Sequence, residues 1–510
     1  MQIKHIPLLA VLWLCLGSGA FAGVEGLVFA DSNANGVLDP GERGIPDIAV
    51  SNGREVLRTD AAGKYAFESV ASGFVFVIQP NGWDLPPQDE THPRFYRPVT
   101  SEVDHCDFGL ISVPEKTSVQ ALLLADTQTS DEGDVDFLKR STVQTILATG
   151  LQFDFGVTLG DVVNDRLDLL PAIHEALRPI GIPQYYVNGN HDLDFDAENT
   201  PDSVASFEAL FGPSNFAFEC GPALFVGLND IIYPVDANGR RTYTGGLEPV
   251  QFEWLENLLA LTPLDQPLVL MVHIPFFQPG VERRDEFRKA DKLRLFELLK
   301  GRPNVMFLSG HTHYQRHYFH DAADGWGGDA AIHEYNVAAA CGSFWSGPLN
   351  ADGIPVSTMW DGTPPGFGIL KVDADGFSTE YFPTNHPADF QIGIYTPEAV
   401  PARKGWISFY ANVFDGHDGW NIEARTSENA PWKPMRRILA SDPSYVAAFL
   451  AQGEADAAPL ARRLPDPVIC FHLWRGYLPG DLDAGTTTLT VRATAPDGRV
   501  FLQTHSIEVR

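Results

Sequence analysis

Between Ala121 and His313 one pattern recurs: a short apolar run, a polar turn and, in most repeats, an amphipathic stretch. The runs are Ala121 to Leu124, Phe155 to Leu159, Gln184 to Val187, Leu268 to Val272 and Val305 to Leu308. Runs of this length suit strands buried on both faces. Val135 to Ala148, Leu169 to Leu177, Glu248 to Leu259 and Phe287 to Leu299 carry apolar residues at helical spacing. Strands alternating with helices predict a layered α/β domain, whose carboxyl-end loops meet in one crevice.

Those loops carry unusual residues. After the first run come Asp126 and Gln128, and after the second Asp161 and Asn164. The third ends in Gly189-Asn190-His191-Asp192, the fourth in His273, the fifth in Gly310-His311-Thr312-His313. One histidine beside a strand has an ordinary structural explanation. Five successive strand ends bringing carboxylates, amides and imidazoles to one crevice point to a metal centre.

A chain of 510 residues is too long for one ordinary domain. With 36 basic and 66 acidic residues the formal charge is −30, which excludes a surface that binds long nucleic acid or anionic membrane through counterion release. A small anionic substrate drawn to a local metal site stays compatible with it. Cys106, Cys220, Cys341 and Cys470 are too far apart for a Cys-x-x-Cys site, and both disulfides and free thiols remain open.

Residues 1–22 have the pattern of a cleaved export signal: Lys4 and His5, an apolar run from Ile6 to Leu16, then Ala20-Phe21-Ala22. That predicts a periplasmic or secreted protein. No later apolar stretch reaches membrane-spanning length.

Residues 23–112 carry short apolar runs between turn signals and predict a small β-sandwich. Within it, Asp31 to Glu42 fits a calcium-loop pattern, with Asp31, Asn33, Asn35, Asp39 and Glu42 as oxygen donors and Gly36 at the bend. Pro40-Gly41 discourages an exit helix, so the loop is expected between strands; an Asx-rich turn closed on its own side chains is the competing explanation. The stretch also resembles the calcium-stabilised B-type repeats of bacterial surface adhesins. A linker precedes a central domain over 118–395, and β signals return over 401–510, predicting a C-terminal β-sandwich.

The ordered set Asp126-x-Gln128, Gly160-Asp161-x-x-Asn164, Gly189-Asn190-His191-Asp192, His273 and Gly310-His311-x-His313 resembles the signature of calcineurin-like metallophosphoesterases. Cys341 to Gly347, Asp361 to Gly366 and His472-Leu473-Trp474 are similar to exported bacterial members with flanking β-domains. The resemblance implies a layered β-sandwich core with helices outside. It implies Asp126, Gln128 and His313 on one divalent ion, Asn190, His273 and His311 on a second, and Asp161 bridging both. The ions (Mn, Fe, Zn or Mg) would activate a hydroxide toward a phosphate mono- or diester, with His191 beside the leaving oxygen. Asn164 or Asp192 is expected to hold the His191 ring; uncharged Asn164 would leave it less basic. Gln128, where many members have histidine, favours a harder ion at that position. Arg316 and His317 are candidate phosphate contacts. Phe344 and Trp345 are expected in the core, and His333, His386, His472 and Trp474 in structural roles. The alternative is a calcium-dependent surface-binding protein with a degenerate core.

Overall fold

The computed structural model describes residues 23–71, 73–86, 91–100, 103–237, 240–278, 286–454 and 459–510. The expected export signal, 1–22, lies outside the described residues. Among the described residues, no helix is long and apolar enough to cross a membrane.

Two sheets form the centre. The first has the strand order Gln184–Val187, Phe155–Leu159, Val119–Leu124, Gly366–Asp373, Gly376–Pro383. Its first three strands are parallel and the last two antiparallel. The second runs Phe216–Cys220, Ala223–Gly227, Leu268–Met271, Val305–Ser309, Ile332–Asn336, Arg316–His320. Alternation divides the faces of the first sheet. Ala121, Leu123, Val157 and Leu159 share one apolar cluster with Leu224, Val226, Leu270 and Phe307 of the second. Leu122 and Leu124 turn the other way, onto Leu138, Ile146, Ile173 and Leu177 of the covering helices. The core is therefore a sandwich of two sheets with helices outside.

The helices lie near their expected positions. Leu170–Leu177, Pro249–Ala260 and Lys289–Leu299 are regular. The stretch expected from Val135 starts earlier, because Asp131 caps it by accepting from the Gly133 and Asp134 amides. It then passes from Glu132–Leu138 through a π-helical turn, Lys139–Val143, into Gln144–Thr149.

The N-terminal strands form two four-stranded sheets. Trp254 of the core reaches into them, donating from Nε1 to Ser51 Oγ at 3.1 Å and packing edge-on against Phe76. Asp31 to Glu42 follows the strand Val24–Ala30, with no helix after it. Asp31 accepts from the Asn35 and Gly36 amides, and Asp39 accepts from the Asn33 and Asn35 side chains. Glu42 accepts from the amides of Ser32 and Asp39, so the five expected donors gather in one loop that is closed on its own side chains and amides, as the competing Asx-turn explanation has it.

The C-terminal strands form a four- and a five-stranded sheet around Phe409, Val413, Trp474, Leu489 and Val491. All four described cysteines are free.

Candidate metal centre

Every expected ligand sits just past a strand end. Parallel pairing sets Leu124 beside Thr158 and Leu159 beside Val187 in the first sheet, so the loops after these strands open on one edge. Met271 and Leu308 of the second sheet are likewise paired, which places His273 near Gly310.

The loops take sharp bends that ordinary residues avoid. Asp126, Gln128, Asp161, His311 and His313 all have positive φ, between 38° and 73°. Each costs roughly 1–3 kcal/mol and persists only where its surroundings over-determine it. Gly189 is required for space: a Cβ there would lie 2.2 Å from Asp161 Oδ1. Asp192 holds the bends together, accepting from the amides of Val162, Val163 and Gly189 at 2.8–3.0 Å.

Asp161, His273 and His311 bring ligand atoms within 4.8 Å of one another. His273 Nε2 is 3.2 Å from Asp161 Oδ1, 3.2 Å from Asn190 Oδ1 and 3.2 Å from His311 Nδ1. On the other side His313 Nε2 is 3.6 Å from Asp126 Oδ1, and Gln128 Nε2 is 3.3 Å from Asp161 Oδ2. Half a turn of the Gln128 amide would present its oxygen instead, with the same outline. The seven expected ligands thus meet in two adjoining groups that share Asp161.

The electrostatics suit cations. Asp126 is fully buried, and burial pushes its carboxyl up to about 8, with Asp161 adding to the rise. Burial also acts against charge on Asp161, but His273 and His191 hold it below the ordinary carboxylate value. Burial pushes His313 down to about 4, so its ring stays neutral with a lone pair free to bind. Burial opposes charge on His273, but Asp161 and Asp126 outweigh it and raise the ring to about 10, so the two buried carboxylates favour positive charge beside them, as a divalent ion would supply.

The ring of His191 is positioned otherwise than expected. Its Nδ1 lies 2.7 Å from Asp165 Oδ1. Asn164 instead donates to Ser130 Oγ, and Asp192 is occupied by backbone amides, so neither holds the ring. Burial opposes charging His191, but Asp161 and Asp165 outweigh it and raise its pKa. The expectation of a less basic ring is therefore corrected.

Five of the seven expected ligands, Gln128, Asp161, Asn190, His311 and His313, line a cavity of about 210 Å³, together with His191, Tyr243, Glu286, Thr312, Phe344 and Trp360. Phe344 belongs to this wall and not to the core: at φ 59° it stacks on His313 with centroids 4.1 Å apart. Its carbonyl accepts from Arg462 of the C-terminal segment at 3.2 Å. Trp345 is buried, as expected. Arg316 and His317 do not line the cavity. Arg316 lies over the Phe471 ring at 3.7 Å, and His317 Nε2 meets Asp415 Oδ1 at 2.8 Å. Tyr243, Glu286, Asp165 and Trp360 carried no motif signal in the sequence.

Comparison with known proteins gives three family models in chain order. Residues 32–113 match "N terminal of Calcineurin-like phosphoesterase", residues 121–315 "Calcineurin-like phosphoesterase", and residues 334–501 "C terminal of Calcineurin-like phosphoesterase". No curated protein matches the chain. Among solved structures, the purple acid phosphatase PPD1 from yellow lupin (Lupinus luteus) seeds is 13% identical, covering 67% of this chain and 69% of that chain, with a TM-score of 0.35. So loose an overlap supports no inference about this chain.

Proposed function

The chain belongs to the calcineurin-like phosphoesterase family, and on that premise we propose that it is an exported hydrolase of small phosphate mono- or diesters that works with two divalent metal ions. The observation that carries this is the gathering of seven donor side chains from five strand ends: Gln128, Asp161, Asn190, His311 and His313 line one cavity, and the fully buried Asp126 and His273 lie against them. Asp126, Gln128 and His313 would hold one ion; Asn190, His273 and His311 the other; Asp161 would face both. When bound, the ions supply Lewis acidity to the phosphoryl oxygens and a nucleophilic water at neutral pH.

The chain's own groups do the rest. His191, held through Nδ1 by Asp165, directs Nε2 to the leaving oxygen and donates its proton as the P–O bond breaks. Tyr243, Phe344 and Trp360 give the cavity aromatic walls that reduce access of bulk water. A cavity of about 210 Å³ suits a small substrate better than a polymer.

Export rests on the pattern of residues 1–22; cleavage after Ala22 in protein recovered outside the cytoplasm is its test. A calcium ion at Asp31, Asn33, Asn35, Asp39 and Glu42 is a further part of the proposal. Calcium should raise the melting temperature of EDTA-treated protein, and an unchanged temperature rejects the ion.

The deciding experiment pairs metal analysis of the purified protein with assays on p-nitrophenyl phosphate and its bis ester in added Mn2+. Near two equivalents, falling sharply in Asp161→Ala, and turnover of either ester support the proposal. No metal uptake and no turnover would favour a binding protein.

A further inference from the structure

Each histidine of the centre uses one ring nitrogen on an oxygen behind it and points the other inward. His273 Nδ1 donates to Leu159 O at 2.8 Å, and His313 Nδ1 to Gly342 O at 2.6 Å. Both therefore present Nε2. His311 is reversed: its Nδ1 faces His273, and its Nε2 lies 3.0 Å from Glu286 Oε2. Two of the rings are backed by neutral carbonyls and the third by a carboxylate.

That carboxylate is anchored. The Glu286 carbonyl accepts from the Gly245 amide at 2.8 Å and from Thr244 Oγ1 at 3.0 Å. Both belong to the strand Arg240–Gly245, which also brings Tyr243 edge-on to the His311 ring at 6.2 Å. This strand therefore fixes Glu286 and flanks the imidazole together. A carboxylate acceptor at Nε2 fixes the proton there, leaves the lone pair on Nδ1, and makes that nitrogen a stronger donor than a carbonyl-backed ring would be.

We propose that Glu286 is a positioning residue that holds His311 in its Nε2–H tautomer and tightens the ion His311 shares with Asn190 and His273. This rests on the proposed two-metal centre. It makes the two positions unequal in a specific way: an anionic support backs one of them, and the amide of Gln128 belongs to the other.

The test is calorimetric titration of the full-length, metal-stripped protein with Mn2+. Wild type should take up two equivalents. Glu286→Gln should weaken one of them about tenfold and Glu286→Ala up to about a hundredfold, with the other unchanged. The melting temperature without metal should stay within a degree or so of wild type, which a merely structural role would not predict. In a His311→Ala background, Glu286→Gln should add no further loss, because its effect passes through that ring. Two equivalents of wild-type affinity in Glu286→Gln, a loss that adds to that of His311→Ala, or weakening of both equivalents with a lowered metal-free melting temperature would each overturn the inference. Those outcomes leave the proposed phosphoesterase function standing. A wild type that binds no Mn2+ at all would remove both.

Discussion

Asp165 Oδ1 lies 2.7 Å from His191 Nδ1, and the same two residues are joined a second time through the main chain, where the Asp165 amide donates to the His191 carbonyl at 3.2 Å. Ring and carboxylate are thus locked as a unit beside the proposed metal ligands. The carboxylate favours the protonated ring and fixes which nitrogen faces the cavity. His191→Asn should lower turnover roughly 10²–10⁴-fold with both metal equivalents retained. Asp165→Asn should cost less, about tenfold or more, since the ring stays but its orientation and charge are less well supported. Metal analysis alongside steady-state kinetics checks both; lost metal in either variant would mean that the pair is structural.

Gly189 lies against Asp161, which the proposal places between the two ions. A methyl group there would meet Asp161 Oδ1 and the Asp161 amide, each at 2.2 Å. Gly189→Ala should therefore displace the residue that both metal groups share. The expected cost is about 1–3 kcal/mol of stability, as for other overpacked sites. The expected signature is loss of both metal equivalents together. A variant with full metal content would show that the loop can move aside.

The cluster of expected ligands was legible because these residues come directly after strand ends, and apolar runs mark strands well. What the sequence could not show depends on backbone angles or on distant partners. Asp165 has φ 59°, and that left-handed turn swings it under His191 where spacing alone favours Asn164 or Asp192. Glu286 reaches His311 across 25 residues, from a stretch with no periodicity to flag it. Phe344 comes after an alanine-rich run that is buried, but its own positive φ turns it out into the cleft. The helix from Glu132 to Thr149 was visible as amphipathic, whereas its π turn leaves no mark on apolar spacing.

Asp361 and His472 connect the centre to the C-terminal sandwich. His472 Nε2 lies 2.9 Å from Asp361 Oδ2, with both side chains buried. The same carboxylate oxygen accepts from the amide of Gln315, two residues past His313. His472→Ala leaves a buried carboxylate short of a partner, at a cost of about 1–3 kcal/mol or more if the pair is ionised. Urea unfolding should show that loss, and turnover should fall with it because the Gly-His-Thr-His loop loses a support. Unchanged stability would mean that Asn412 or water takes over from the missing ring.

A second cluster at that boundary should contribute a stability that is lost in acid. His317 Nδ1 faces His333 Nε2 at 2.9 Å, and His417 packs against His317 at a centroid distance of 5.3 Å. Burial pushes His317 down to about 3 and His417 to about 4, with neighbouring His317, Arg437 and Arg499 charges in the same direction; burial also drives His333 well below the ordinary histidine value. All three values lie below that of an unfolded histidine, near 6.5. Their contribution to stability is therefore complete above about pH 6.5 and is lost as pH falls toward the folded values. Asp415 works the other way: burial lifts it to about 7, so it loses stability as pH rises. Within this cluster three histidines oppose one acid, so the cluster's own contribution to stability falls between pH 7 and pH 5; buried Asp126, Asp192, Glu208 and Asp230 act the other way elsewhere, so a single-residue comparison isolates the cluster. In His417→Asn the difference between the two pH values should shrink by about 1–2 kcal/mol, after allowance for the partly exposed ring. Denaturant unfolding of both proteins at both pH values measures it, and an equal drop in the two would show that His417 is free to take up a proton in the folded state.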